Sequence, residues 1–184
     1  LRLGIQPFNQ PNVEAAKARA RDMVEAYRRE GRLPEREPAF TDGGIAVYGD
    51  VTGNTIEEVR ERFRGIGALS RYSAIEEMPY RYAAFQVYLP PGPRQDELLD
   101  ALWERWENDL HLPTTVGYGP RFLHSTGQLH KGDAGKGLFL QITADHPRDA
   151  RIPDEPGSDE GALTFGTLID AQASGDMRAL EDAG

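Results

Sequence analysis

The segment from Gly119 to Gly132 is dense in side chains that donate, accept or carry protons. A histidine in its ordinary state titrates near pH 6.5, so it can take up and release a proton at neutral pH. If the run from Arg121 is helical, then His124, Gln128 and Lys131 fall on one side of the helix, at positions i, i+4 and i+7. The spacing therefore predicts a face of this segment that is suited to proton transfer.

Two other interpretations of these histidines stay open. His124 could be a structural residue that caps local carbonyl groups. His124 and His130 could bind a metal, but they lack the i, i+4 relation and the nearby carboxylates of zinc-binding helices. The chain also has no cysteine, which excludes a thiolate metal site. We expect no metal and no other cofactor.

A second polar segment, residues 4–17, consists of a turn followed by the start of a predicted helix. At about 100° per residue, Lys17 lies about 40° from the apolar Val13 and so borders the buried stripe of that helix. From this position a lysine can reach over the edge of a cleft to an anionic or polyhydroxylated ligand. The alternative is a lysine that only covers apolar surface with its methylene chain.

The sequence of this second segment resembles that of a known enzyme family. Pro7-Phe8-Asn9-Gln10-Pro11, followed by Val13-Glu14 and Lys17, is similar to the active-site lysine segment of phosphoglucose isomerases. On this resemblance Lys17 matches the active-site lysine and Gln10 matches the glutamine that precedes it. The family commonly has aspartate at the position of Asn9 and asparagine at the position of Gln6.

The segment from Gly119 to Gly132 resembles the same family over a longer run of residues. Leu123-His124-Ser125, followed by Gly127-Gln128, is similar to a motif of bacterial phosphoglucose isomerases whose histidine is assigned to opening the sugar ring. The wider run 117–132, with Thr164-Phe165-Gly166-Thr167-Leu168, looks like the last domain of proteins that fuse transaldolase to phosphoglucose isomerase. In free-standing isomerases the histidine segment precedes the lysine segment, whereas here it follows.

The resemblance implies interconversion of glucose 6-phosphate and fructose 6-phosphate, in glycolysis, gluconeogenesis and the pentose phosphate pathway. It implies that Lys17 and His124 are catalytic and assist ring opening. The expected substrate contacts are Gln10, Arg121, Gln128 and Lys131.

The isomerisation also needs a base, typically a carboxylate, that moves a proton between C1 and C2. In the family this glutamate and the phosphate-binding Ser/Thr loop belong to sugar-isomerase domains that precede the equivalent of Leu1. Glu14, Glu76 and Glu77 are better interpreted as solvated carboxylates, because many acids surround them. We therefore expect the chain to be inactive, or nearly so, without the preceding isomerase and transaldolase domains.

A noncatalytic module that braces those domains or mediates oligomerisation is the alternative from another functional class. Exposed apolar faces would be its marker. A free-standing sugar-phosphate binding domain is a third interpretation, and a homo-oligomer is left open.

The spacing of apolar residues along the sequence predicts the helices and strands that position these two segments. Helices are expected at 11–31, 56–66 and 98–112, with two shorter helical pieces at 165–173 and 177–180 around Gly175. Strands are expected at 45–48, 80–89, 114–118 and 138–143, the first of them buried. This alternation is typical of an α/β domain, with a small layered sheet of about four strands covered by amphipathic helices.

The domain organisation predicted from this pattern has two parts. Residues 1–32 form an N-terminal helical arm, interpreted as the terminal element of a preceding sugar-isomerase domain. Residues 33–184 form the C-terminal α/β domain of the isomerase. The chain opens on Leu1 and lacks the pattern of a signal peptide, so we expect an excised or processed fragment.

Composition limits the partners. A net charge of −9 argues against binding along a nucleic-acid backbone, which needs concentrated cations. No apolar run approaches the roughly 18 residues of a membrane span. The lack of cysteine makes a cytoplasmic location the natural expectation.

Overall fold

The computed structural model describes residue 6 and residues 8–49, 51–70 and 80–184. Glu76 and Glu77 lie outside the described residues. The helices are α1 (Pro11–Glu30), α2 (Ile56–Ser70), α3 (Pro93–Leu110), α4 (Ser125–Lys131) and α5 (Phe165–Ala183). The strands are β1 (Phe40–Asp42), β2 (Ile45–Val47), β3 (Tyr82–Val87), β4 (Thr114–Tyr118), β5 (Gly137–Ile142), β6 (Arg151–Ile152) and β7 (Leu163–Thr164).

A three-stranded parallel sheet in the order β4-β3-β5 forms the centre. Phe85 in the middle of β3 is level with Val116 of β4 and Leu140 of β5. Five consecutive positions of β3, from Ala83 to Val87, are buried, as expected for a parallel strand covered on both faces.

Alternate residues of β3 face two different layers of helices. Phe85 and Val87 pack with Leu99 and Trp106 of α3, and Phe63 of α2 contacts the same Trp106 ring at 4.7 Å between centroids. The opposite face of β3 carries Gln86, and this face is covered by the layer that contains α4 and α5. The segment with the candidate site therefore belongs to this second layer.

Helix α1 packs along α5 within this chain. Ala16 and Ala20 of α1 form a buried cluster with Leu123 and with Ala179 of α5. A side chain at Gly175 of α5 would place its Cβ 2.5 Å from the backbone nitrogen of Ala20, so the two helices touch backbone to backbone. The apolar stripe of the predicted arm is thus covered by the C-terminal helix.

The α/β class is confirmed, and two elements differ from the sequence prediction. The strand at Ile45–Val47 pairs antiparallel with β1 in a separate two-stranded ribbon, and Ile45 is 57% exposed, so the prediction of a buried strand there is wrong. The two helical pieces around Gly175 form one continuous helix, because close packing against α1 stabilises the backbone through the glycine. Within the described ranges no helix combines the length and apolar character needed to span a membrane.

Candidate functional site

His124 lies at a corner between two short helical elements. Arg121–Leu123 forms a 3-10 turn, and α4 begins at Ser125. His124 itself has extended backbone (φ −128°, ψ −155°) and is the N-cap of α4. The expectation of one helical run from Arg121 is therefore wrong, since the chain turns at the histidine that the sequence singles out.

The His124 side chain is exposed, and its ring makes no capping hydrogen bond to α4. Its backbone nitrogen donates to the Arg121 carbonyl at 3.0 Å, which closes the 3-10 turn. Among the residues the structure describes, none hydrogen-bonds the ring. The described contacts therefore do not include capping of local carbonyls by this side chain.

The two polar segments of the sequence meet in space. The Gln10 side-chain nitrogen donates to the Ser125 hydroxyl at 3.1 Å, next to His124. The backbone nitrogen of Asn12 donates to the side-chain oxygen of Gln128 at 2.9 Å, so Gln128 satisfies one of the free N–H groups at the start of α1. The start of α1 is thereby fixed to α4, and Gln128 uses its oxygen within the protein rather than offering it to a ligand.

Lys17 lies farther along α1. At 1.5 Å per helical residue it is about 10 Å along the axis from Gln10. Its ammonium pairs with Glu14 at 2.9 Å on a surface where the lysine side chain is 37% exposed. This hydrogen bond and the lysine charge lower the pKa of Glu14. The described contacts of Lys17 therefore do not include residues 121–132.

Lys131 is not on the face that was predicted for it. Its side chain is 1% exposed, and its ammonium pairs with the fully buried carboxylate of Asp176 on α5. It also donates to the Phe122 carbonyl at 3.3 Å. Because α4 begins after His124 rather than at Arg121, the end of α4 points inward. The expectation that Lys131 contacts substrate is corrected accordingly, whereas Arg121 is exposed on the surface beside the corner.

His130, which the sequence left without a role, lies in the core between α4 and the sheet. It is 5% exposed, stacks on Phe122 with 5.6 Å between ring centroids, and has Nδ1 3.4 Å from the Gln86 side-chain nitrogen. Burial lowers its pKa, and the charge of Lys131 lowers it further against the opposing effect of Asp133.

Tyr88 completes the polar cluster in this part of the core. Burial raises the pKa of its hydroxyl, and the charge of Asp176 adds to the shift. Gln86 in β3 and Tyr88 just after it are two residues apart, so their side chains lie on the same face of the sheet. Two polar residues at this spacing in an apolar run were the sequence signal for this cluster. Asp176 gave no such signal, because α5 carries several other polar and charged residues, among them Asp170, Gln172 and Arg178.

The corner thus carries an exposed imidazole, the neighbouring Ser125 hydroxyl that the Gln10 amide contacts, and the exposed Arg121 three residues before the histidine. No family model, no curated protein and no solved structure matches this chain.

The corner can donate or accept a proton and can hydrogen-bond a polyhydroxylated ligand. Within the described ranges, no carboxylate hydrogen-bonds the side chains of His124, Ser125 or Gln10. Those ranges also contain no group of three His, Asp or Glu side chains arranged to hold a metal ion.

Proposed function

We propose that this chain is the C-terminal part of a cytoplasmic glucose-6-phosphate isomerase, of the type fused to transaldolase. The single observation that carries the proposal is the contact between the two motif segments. Gln10 and Ser125 are far apart in sequence, yet their side chains are 3.1 Å apart. Two segments that each resemble the same enzyme family thus form one surface.

In this proposal the exposed His124 exchanges a proton with the ring oxygen of the sugar phosphate as the ring opens. Proton transfer by a positioned histidine typically contributes about 10²–10⁴-fold to rate. Gln10 and Ser125, which contact each other, and the exposed Arg121 supply donors for sugar hydroxyls or for the phosphate. Lys17 lies about 10 Å along the axis of α1 from Gln10, and its role in this proposal comes from the resemblance to the isomerase lysine segment.

The carboxylate base and the phosphate-binding loop come from the sugar-isomerase domains. This division of labour follows from the resemblance, which places the glutamate base and the phosphate-binding loop in the preceding domains. The chain on its own is therefore expected to show no isomerase activity above background. The intact protein, which carries the isomerase domains as well, is the material for testing residue roles.

The test is the isomerase kcat/KM of His124→Ala and Lys17→Ala in that intact protein. We expect a loss of about 100-fold for His124→Ala, because a proton-transfer group is removed. His111→Ala is the matched histidine control, since His111 is exposed at the end of α3, and Lys136→Ala is the matched lysine control. Both controls should keep wild-type activity.

The proposal fails if His124→Ala and Lys17→Ala both stay within about two-fold of the wild-type kcat/KM, a difference too small for a lost transition-state interaction.

A further inference from the structure

The buried ion pair between Lys131 and Asp176 has no assigned role in the proposed chemistry. Their side chains are 1% and 0% exposed, which removes both charges from water. Burial raises the pKa of the Asp176 carboxyl, and the charge of Lys131, followed by the nearby Tyr88 hydroxyl and Gln86 amide, opposes that shift. A buried ion pair of this kind is weak support for stability, because apolar residues of similar volume often replace one without loss.

The pair does have a specific geometric effect. The Lys131 ammonium donates to the carbonyl of Phe122, which lies directly before Leu123 and the His124 corner. Lys131 is the last residue of α4, so this bond joins the end of the helix to the turn that precedes it. The 3-10 turn, the corner and α4 are closed into one loop, and Asp176 anchors that loop to α5.

Gly127 shows how tightly this loop is packed. A Cβ on Gly127 would overlap the Phe122 carbonyl oxygen and would lie 2.9 Å from the Lys131 ammonium. The glycine thus leaves the space through which the ammonium reaches the carbonyl. This contact adds to the backbone hydrogen bonds on either side of His124, which run from its nitrogen to the Arg121 carbonyl and from the Gly127 nitrogen to its own carbonyl.

We propose that Lys131 is a positioning residue whose ammonium, anchored by Asp176, holds the Phe122 carbonyl and thereby sets the place of the His124 ring. The catalytic consequence rests on the proposed function, whereas the effect on the His124 ring does not. Alignment of the His124 ring affects the rate of the chemical step, and so kcat, more than it affects the binding of substrate.

The test uses the double variant Lys131→Met with Asp176→Leu. It leaves no unpaired buried charge, so we expect a thermal midpoint close to that of the wild type. It also removes the donor to the Phe122 carbonyl. We therefore expect altered His124 ring signals in NMR spectra of the 184-residue chain. In the intact protein we expect a roughly ten-fold lower kcat at a KM within about two-fold of the wild-type value.

Tyr88→Phe is the matched control. It removes a hydroxyl that faces Asp176 but keeps the ring against Phe122 and leaves the bond from Lys131 to the Phe122 carbonyl. Wild-type His124 signals and wild-type kcat are expected for this variant. If the Met/Leu pair does not fold, Lys131→Gln with Asp176→Asn gives the same comparison, because glutamine is too short to reach the carbonyl.

The inference is overturned if a folded double variant keeps the His124 ring signals of the wild type. It is also overturned if the double variant has both the kcat and the thermal midpoint of the wild type. A different result separates the two proposals. Altered ring signals in the double variant, combined with full activity of His124→Ala, would retain the positioning role and reject the proposed function.

Discussion

His124 and His130 belong to the same short motif but lie in opposite environments. The first is an exposed N-cap, and the second is 5% exposed between Phe122 and the sheet. The helical spacing put His124 on the predicted polar face and left His130 off that face. The difference arises because α4 begins at Ser125, which turns the last residues of the motif into the core. At the residue scale the motif therefore combines an exposed imidazole with a second histidine that is packed in the core.

The buried His130 gives the chain a pH-dependent stability. Its pKa is lowered in the fold, whereas in the unfolded chain it titrates near about 6.5. As the pH falls below about 6.5, His130 binds a proton in the unfolded state but not in the folded state. The free energy of unfolding therefore decreases toward acid, by up to about 1.4 kcal/mol per pH unit from this group, until the folded pKa is reached.

Urea unfolding at pH 7.5 and 5.5 measures this effect. We expect His130→Gln to lose less stability than the wild type on going from the higher to the lower pH. Phe139→Leu, at a ring that lies 5.3 Å from His130, is the control that should lower stability about equally at both values. Identical acid dependence in the wild type and His130→Gln would show that the pKa of His130 is not lowered in the fold.

Part of the site could be predicted at the residue scale. Type and spacing singled out His124 and Gln128, whereas Gln10 and Arg121 came from the resemblance. The structure brings Gln10 and Gln128 to the contact between the start of α1 and α4. Lys131 could not be placed correctly, because its direction depends on where α4 begins. That start is set by the 3-10 turn and by packing against Asp176, and neither has a periodic sequence signal.

At the scale of elements, the contact of α1 with α5 is decisive for the site, because α1 carries Gln10 and Lys17. The contact is closest where Gly175 meets Ala20, with a Cβ position only 2.7 Å from the Ala20 Cα. Backbone atoms on the partner helix cannot move aside as a flexible side chain can. The absence of a side chain at residue 175 is therefore required for this helix pair.

Gly175→Ala should separate α1 from α5. We expect destabilisation by about 1–3 kcal/mol in chemical unfolding, since overpacking outweighs the gain in helix propensity. Gly65→Ala is the matched control, because Gly65 lies in helix α2 with nothing within 4 Å of its Cβ position. That substitution should stabilise the chain by about 0.5–1 kcal/mol. A Gly175→Ala variant as stable as Gly65→Ala would mean that the helices are not in backbone contact.

The helices and the parallel strands were predictable from periodicity, whereas the β1–β2 ribbon was not recognised. Ile45–Val47 is a short apolar run, and such runs do not show which sheet they join. The missed signal was the pair Gly43-Gly44, which has φ of 57° and 83°. Two positive φ values in a two-residue loop are typical of a tight hairpin, which forces Ile45–Val47 to pair with Phe40–Asp42.

At the scale of the whole molecule, exposed apolar side chains are the feature that the interaction-module alternative requires. Such side chains occur on separate elements: Ile45 on β2, Leu98 on α3, Leu129 on α4 and Phe165 on α5. Singly exposed apolar residues are common on protein surfaces and do not by themselves define a partner. Deleting residues 33–184 from the intact protein distinguishes the alternatives. Our account predicts loss of isomerase activity, whereas a pure interaction module predicts a changed mass by light scattering with the chemistry retained.

The most direct measurement is a crystal structure of the intact protein with fructose 6-phosphate bound. We predict that a ring nitrogen of His124 lies at hydrogen-bond distance, about 2.6–3.2 Å, from the ring oxygen or its hydroxyl in the open-chain form. Gln10 or Arg121 should contact the same sugar phosphate. A sugar phosphate bound with no atom of His124, Gln10 or Arg121 within about 6 Å, well beyond one bridging water, would contradict the account.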